Sequence, residues 1–230
     1  MAIYALADLH LSFGTDKPMD VFGDAWDNYT EKIKKNWNVT VSQNDMVIIP
    51  GDVSWATYIE DAYEDFKFIN ELPGKKVILK GNHDYWWTTL SKMEGFLKEN
   101  EFDTIKILNN TAAEFEDAAI CGTRGWWYKE GQSPEDEKIL DREKKRLVLA
   151  LEEASRLKKS RIVVGLHYPP VDTDSCDDDF LKIMKQYKVD TCVYGHLHSY
   201  AHKKAVIGEI DGIKLNLVSG DFVDFTPVLV

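Results

Sequence analysis

The sequence predicts an α/β fold built on a largely parallel sheet. Three observations carry that prediction. Apolar runs at residues 3–7, 46–49 and 77–79 alternate with stretches of helical period, the spacing that parallel strands with helical crossovers require. Five apolar runs end abruptly in acids, amides or imidazoles, and strand ends in parallel sheets are where open α/β folds put their sites. The 230 residues, 44% apolar, are enough for a sizeable core in one domain spanning 1–230.

Each element follows from local pattern. Residues 3–7 read as a buried strand and the polar residues 12–20 as a loop. Trp26, Tyr29, Ile33 and Trp37 recur at three- and four-residue spacing, an amphipathic helix. Residues 46–49 form a second strand, stopped by Pro50-Gly51. Tyr58, Ala62, Phe66 and Ile69 share one face of a second helix, which Pro73-Gly74 ends. Residues 77–79 are the third strand, and residues 91–98 a further helix. Short strands are expected at 105–108, 113–115 and 118–121, the last two joined by a Glu116-Asp117 turn. Residues 122–134 read as a loop bearing Arg124, Trp126, Trp127 and Tyr128. Residues 135–159 are charged, with apolar positions at Leu140, Leu147, Leu151 and Ala154. Asp141 with Lys145 and Glu152 with Arg156 sit at i,i+4, supporting a long helix laid on the sheet; the pattern spans too few heptads for a coiled coil. A strand at 162–166 ends in His167 and Pro169-Pro170, and a short helix is expected at 177–187 with Asp at its N-terminus. A strand at 191–194 leads into Gly195-His196-Leu197-His198. Residues 206–210 and 213–218 form a hairpin around Asp211-Gly212.

Composition narrows the function. A net charge of −11 and a pI near 5.0 argue against general binding to a nucleic-acid backbone. Small phosphate substrates stay open, because bound divalent cations invert the local field. Three cysteines, Cys121, Cys176 and Cys192, have no paired spacing, which fits reduced thiols; Cys192, in an apolar run, reads as core filler. The N-terminus lacks a basic n-region and Asp8 breaks its apolar stretch, so no signal peptide is expected. No run approaches the ~20 apolar residues of a membrane span. A cytoplasmic protein is expected, and nothing in the sequence speaks to its oligomeric state.

Asp8, His10, Asp52, Asn82, His167, His196 and His198 all follow apolar runs directly, and with His83 they include five of the six histidines. Imidazole and oxygen ligation without thiolate suits Mn, Fe, Zn or Ni. Seven such groups are too many for one tetrahedral zinc and about right for two adjacent divalent metals sharing a carboxylate. Each fragment alone has a bland reading: a turn aspartate capping a helix after Gly51, a solvated His-x-His, a hydrogen-bonded core histidine at 167. Gly81-Asn82-His83-Asp84 is the sharpest fragment, since Asn and His together make poor strand and poor core. Their conjunction in this order points to a metal site.

That order, Asp8-x-His10, Gly51-Asp52, Gly81-Asn82-His83-Asp84, His167 and Gly195-His196-x-His198, resembles the calcineurin-like metallophosphoesterase superfamily, with motifs running from residue 8 to residue 198. The resemblance implies a four-layer α/β/β/α sandwich, two mixed sheets flanked by helices, around a dinuclear centre. Carried over by position, Asp8, His10, Asp52 and His198 hold one metal, and Asp52 bridges to a second held also by Asn82, His167 and His196. With two cations so held, a bridging water would lose its proton near neutral pH and attack phosphorus in line. His83 has no place among the ligands and is the expected proton donor to the leaving oxygen.

Protein serine/threonine phosphatases of the superfamily carry Asp-Arg-Gly after the Gly-Asp motif. Here Val53-Ser54-Trp55-Ala56 stands there and Asp84 replaces Glu, so a small phosphomonoester or phosphodiester is favoured over a phosphoprotein. Trp86 and Trp126 are candidate stacking contacts and Arg124 a candidate phosphate clamp, each with a bland alternative in packing or ion pairing. Asp172, Asp174, Asp177, Asp178 and Asp179 lack EF-hand spacing and read as a solvated loop and helix cap. Two rivals differ in kind. A non-catalytic metal-binding scaffold on the same fold would usually have lost ligands, and every motif position is filled. A metallo-β-lactamase-type hydrolase needs His-x-His-x-Asp-His, and Tyr200 stands where that Asp would be.

Overall fold

The computed structural model describes residues 1–127, 131–171, 173 and 178–230. The elements in chain order are β1 (Ile3–Ala5), α1 (Tyr29–Thr40), β2 (Met46–Ile49), α2 (Tyr63–Glu71), β3 (Lys75–Ile78), α3 (Leu90–Glu99), β4 (Ile105–Ile107), β5 (Ala112–Phe115), β6 (Ala118–Thr123), α4 (Pro134–Arg156), β7 (Arg161–Leu166), α5 (Asp179–Gln186), β8 (Thr191–Tyr194), β9 (Gly208–Ile210), β10 (Ile213–Leu217) and β11 (Val228–Leu229).

Two sheets form. One runs β11-β1-β2-β3-β4, parallel except for the β11 edge. The other runs β5-β6-β7-β8-β10-β9, parallel except for β5 and β9 at its edges. Their strands read as continuous apolar runs because both faces are covered. In β2, Met46 and Ile48 face the second sheet while Val47 and Ile49 face the helices; in β7, Val163 and Val164 divide the same way. Three apolar layers result. One lies under α1, α2 and α3, one lies between the sheets, and one lies under α4 and α5. This is an α/β/β/α sandwich of two mixed sheets.

Several boundaries differ from expectation. Trp26 packs from a single 3-10 turn at Asp24–Trp26 rather than from α1, which starts at Tyr29. Tyr58 precedes a 3-10 turn and is exposed, so the apolar face of the second helix begins at Ile59. On α4, Arg156 pairs with Glu153 rather than Glu152. Ser133 caps α4, its hydroxyl accepting from Asp136 N at 3.1 Å with Pro134 next. The Asp211-Gly212 hairpin forms, both residues at positive φ, as the two-residue turn requires. The edge strand β11 was not expected. Cys121 and Cys192 are buried in the core, whereas Cys176, Tyr128, Asp172, Asp174 and Asp177 fall outside the described residues. Among the described residues no helix is long and apolar enough to cross a membrane.

Candidate metal centre

The seven candidate ligands converge at the C-terminal ends of β1, β2, β3, β7 and β8, where the two sheets face each other. Parallel β1–β2 pairing delivers Asp8 and His10 beside Asp52: Asp8 N donates to Gly51 O (3.1 Å) and His10 N to Asp52 O (2.9 Å). Asp8, His10, Asp52 and His196 all have positive φ, between 43° and 72°. Left-handed backbone at non-glycine residues costs roughly 1–3 kcal/mol each and gathers at functional sites. The motif glycines are dictated by close approach. A Cβ on Gly81 would lie 2.0 Å from Asp52 Oδ1, and one on Gly195 2.5 Å from Asp8 Oδ2.

Two donor groups share one carboxylate. Asp52 Oδ2 lies 3.7 Å from His10 Nε2 on one side and 3.4 Å from His167 Nε2 on the other. On the first side, His10 Nε2 and His198 Nε2 are 3.4 Å apart, with Asp8 Oδ1 3.8 Å from His198. On the second, Asn82 Oδ1 is 2.6 Å from His167 Nε2 and 2.9 Å from His196 Nδ1. Ligand atoms of Asp8, His10 and His198 fall within 4.8 Å of one another, as do those of Asp8, Asp52 and His167. Asp8 thus reaches both groups, where the resemblance gave that part to Asp52 alone.

The electrostatics fit divalent cations. His167 Nδ1 faces the Pro50 carbonyl at 3.1 Å and so carries the hydrogen. Its bare Nε2 then confronts Asn82 Oδ1 and Asp52 Oδ2, acceptor against acceptor. A cation reconciles them. Burial, then His196, holds His167 well below the usual imidazole range, and burial, then His198, does the same for His10. Burial raises Asp8 to about 6; burial, then the charges of Asp84 and Asp8, raises Asp52 well above the usual carboxylate range. Burial lowers His198, but the carboxylates of Asp8 and Asp221 outweigh it and its net shift is upward. Asp8 Oδ1 is buried with no hydrogen-bond partner among the described residues. Imidazoles held neutral, as at His10 and His167, beside buried carboxylates are the donor set a divalent transition metal takes.

His83 sits on the rim. Its backbone N–H donates to Asp52 Oδ1 (2.8 Å), and its ring lies 4.5 Å from Trp55 and 5.8 Å from His10. Burial, then His198, lowers it. Asp84 does not orient the His83 ring. It accepts from Asp52 N, Val53 N, Gly81 N and Trp86 Nε1 at 2.7–2.9 Å.

Trp86 is not a substrate contact. It is 1% exposed, packed on Phe66 and tied to Asp84. Trp126 is half-buried against Tyr168 (5.0 Å), whose ring lies 4.0 Å from that of His196. With Trp127 these rings line a cleft of about 270 Å³ beside His196. Arg124 lies over Trp126, 4.6 Å from its ring centroid, and 3.7 Å from Glu143. Sequence reasoning missed Trp55, which stacks on His10 at 5.1 Å, and Tyr168. It also missed Asp221, which lies 2.8 Å from His198 Nδ1 and accepts from Ser199 N. For Tyr168 the available signal was its place directly after His167.

A sequence profile of the family described as Calcineurin-like phosphoesterase matches residues 1–200. The chain belongs to that family. Among curated proteins no match is found. Similar solved structures include the protein of unknown function AQ665 from Aquifex aeolicus (16% identity, TM-score 0.53, 99% of this chain and 95% of that one). Others are the phosphopantetheinyl hydrolase PptH from Mycobacterium tuberculosis (14%, 0.55, 100% and 95%) and TT1561 from Thermus thermophilus (14%, 0.53, 88% and 85%). At these identities the likeness is one of fold. Family membership makes this chain a metallophosphoesterase in general terms, with candidate metal-holding residues.

Proposed function

We propose that this member of the family is a dinuclear metal-dependent hydrolase of small phosphomonoesters or phosphodiesters. The observation that carries the reading is the position of Asp52 Oδ2 between His10 and His167, one from each donor group. Asp8, His10, Asp52 and His198 would hold one cation, and Asp52, Asn82, His167 and His196 the other. Bound there, the cations supply Lewis-acid activation of water and neutralise the phosphoryl oxygens. His83, pinned to Asp52 through its backbone, would hold the proton for the leaving oxygen. Trp126 and Tyr168 would take the organic part of the ester in the cleft beside His196. The test is turnover of p-nitrophenyl phosphate and bis(p-nitrophenyl) phosphate by Mn²⁺-loaded protein. Chelator-sensitive hydrolysis of either supports the reading, and inertness of metal-replete protein toward both overturns it.

A further inference from the structure

A second cleft lies farther along the same rim. The metal centre occupies the C-terminal ends of β1, β2 and β3 in one sheet and of β7 and β8 in the other. The next strands outward are β4 and β6. Between their ends is a cavity of about 130 Å³ lined by Lys80, Asn109, Asn110, Arg124, Glu143 and Arg146 among others. Lys80 stands two residues before Asn82, so this cavity and the metal centre share the end of β3 as a wall.

The charge in this cavity is unbalanced. Three cations face one carboxylate, an excess of two positive charges in a chain of net charge −11. Glu143 is fully buried and already engaged through both oxygens. It accepts from Thr123 Oγ1 (2.6 Å) and Arg146 Nη1 (2.7 Å), with Arg124 Nη2 at 3.7 Å and Arg142 Nε at 3.8 Å. The glutamate therefore holds the guanidinium groups in place while offsetting only one of the three cavity cations. Arg124 Nε is buried with no hydrogen-bond partner, and Lys80 makes no ion pair, both among the described residues. Positioned guanidinium forks beside an ammonium and two amides are the donor set that recognises a tetrahedral oxyanion.

We infer that this cleft binds a second phosphate-class anion carried by the same substrate whose ester lies at the metal centre. The inference rests on the proposed hydrolase reading and narrows it to substrates with two anionic groups separated by a short spacer.

The experiment compares α,ω-alkanediol bisphosphates of increasing chain length with the matching alkyl monophosphates, using metal-loaded protein. The bisphosphate is expected to show at least about tenfold higher kcat/KM at one spacer length. Arg146→Gln should collapse that ratio toward one, and Arg146→Lys should retain part of it. Because Arg146 supports Glu143, Asn110→Asp serves as an independent variant. Its new carboxylate repels the anion, it suits the positive φ at this position, and it leaves the Glu143 network untouched. Hydrolysis of both series with a ratio near one at every length overturns the inference while leaving the hydrolase reading standing; no hydrolysis of any ester overturns that reading instead. Inorganic sulfate acting noncompetitively on monophosphate hydrolysis, with the effect lost in Asn110→Asp, would show a free anion as the occupant and overturn the substrate assignment.

Discussion

Asp84 Oδ2 accepts the backbone N–H of Asp52 at 2.9 Å and that of Gly81 at 2.7 Å, tying the β2 and β3 loops into one unit. Asp84 Oδ1 takes Val53 N and the Trp86 indole as well. A buried carboxylate surrounded by donors is an acceptor hub, and its amide counterpart is not. Asp84→Asn turns an NH₂ group toward backbone N–H groups. We expect a stability loss of about 2–3 kcal/mol by urea denaturation and metal binding weaker by roughly 10–100-fold. A variant unchanged in both would remove Asp84 from this role.

His83 stands outside both donor groups, its ring centroid 5.8 Å from that of His10. His83→Ala should therefore keep its metals while turnover of an alkyl phosphate falls by about 10²–10⁴-fold. A p-nitrophenyl ester, whose leaving group needs no proton, should fall much less. Metal analysis and the two rates on one preparation check this, and equal losses on both esters would contradict proton donation.

Asp221 fixes the tautomer of His198 by accepting from its Nδ1 at 2.8 Å, leaving Nε2 to face His10 and Asp8. Partners of this kind typically change metal affinity by about 10–100-fold. Asp221→Asn should weaken one metal site and spare the other, visible as a split in a two-site titration. Uniform weakening would contradict the division into two groups.

Asp65 makes a pH prediction. It accepts from Phe13 N and from the Ser54 hydroxyl, and burial raises its carboxyl from 3.8 to about 6. The folded chain keeps this proton where the unfolded chain has lost it. Its contribution to stability is thus full below about pH 4 and lost as pH rises through about 6. Asp65→Asn removes the titration. Across that window the stability difference should move in the variant's favour by up to about 3 kcal/mol, measured by denaturation at stepped pH. Parallel curves would contradict it.

Much of this was legible in the sequence, for physical reasons. Residues 46–49 and 191–194 are strands as read, since a four-residue apolar run ended by Pro-Gly or Gly-His has no room to be a helix. The division into two sheets was not readable from pattern: strands covered on both faces lose the alternation that would show which layer they join, and only the motif resemblance supplied it. The candidate ligands were legible because each ends an apolar run. Asp221, and the part Asp84 plays within its motif, were not, because their partners include backbone N–H groups that no pattern marks. Trp86 misled because an indole beside a motif reads equally well as stacking platform or core. The structure puts it in the core.

Metal content of the purified, metal-saturated protein, measured by inductively coupled plasma mass spectrometry alongside Asp52→Asn, tests the shared carboxylate most directly. The account predicts about two transition-metal ions per chain in the native protein and loss of both phosphoesterase activity and at least one ion in the variant. A single ion per chain, or two ions retained with full activity in Asp52→Asn, would contradict it.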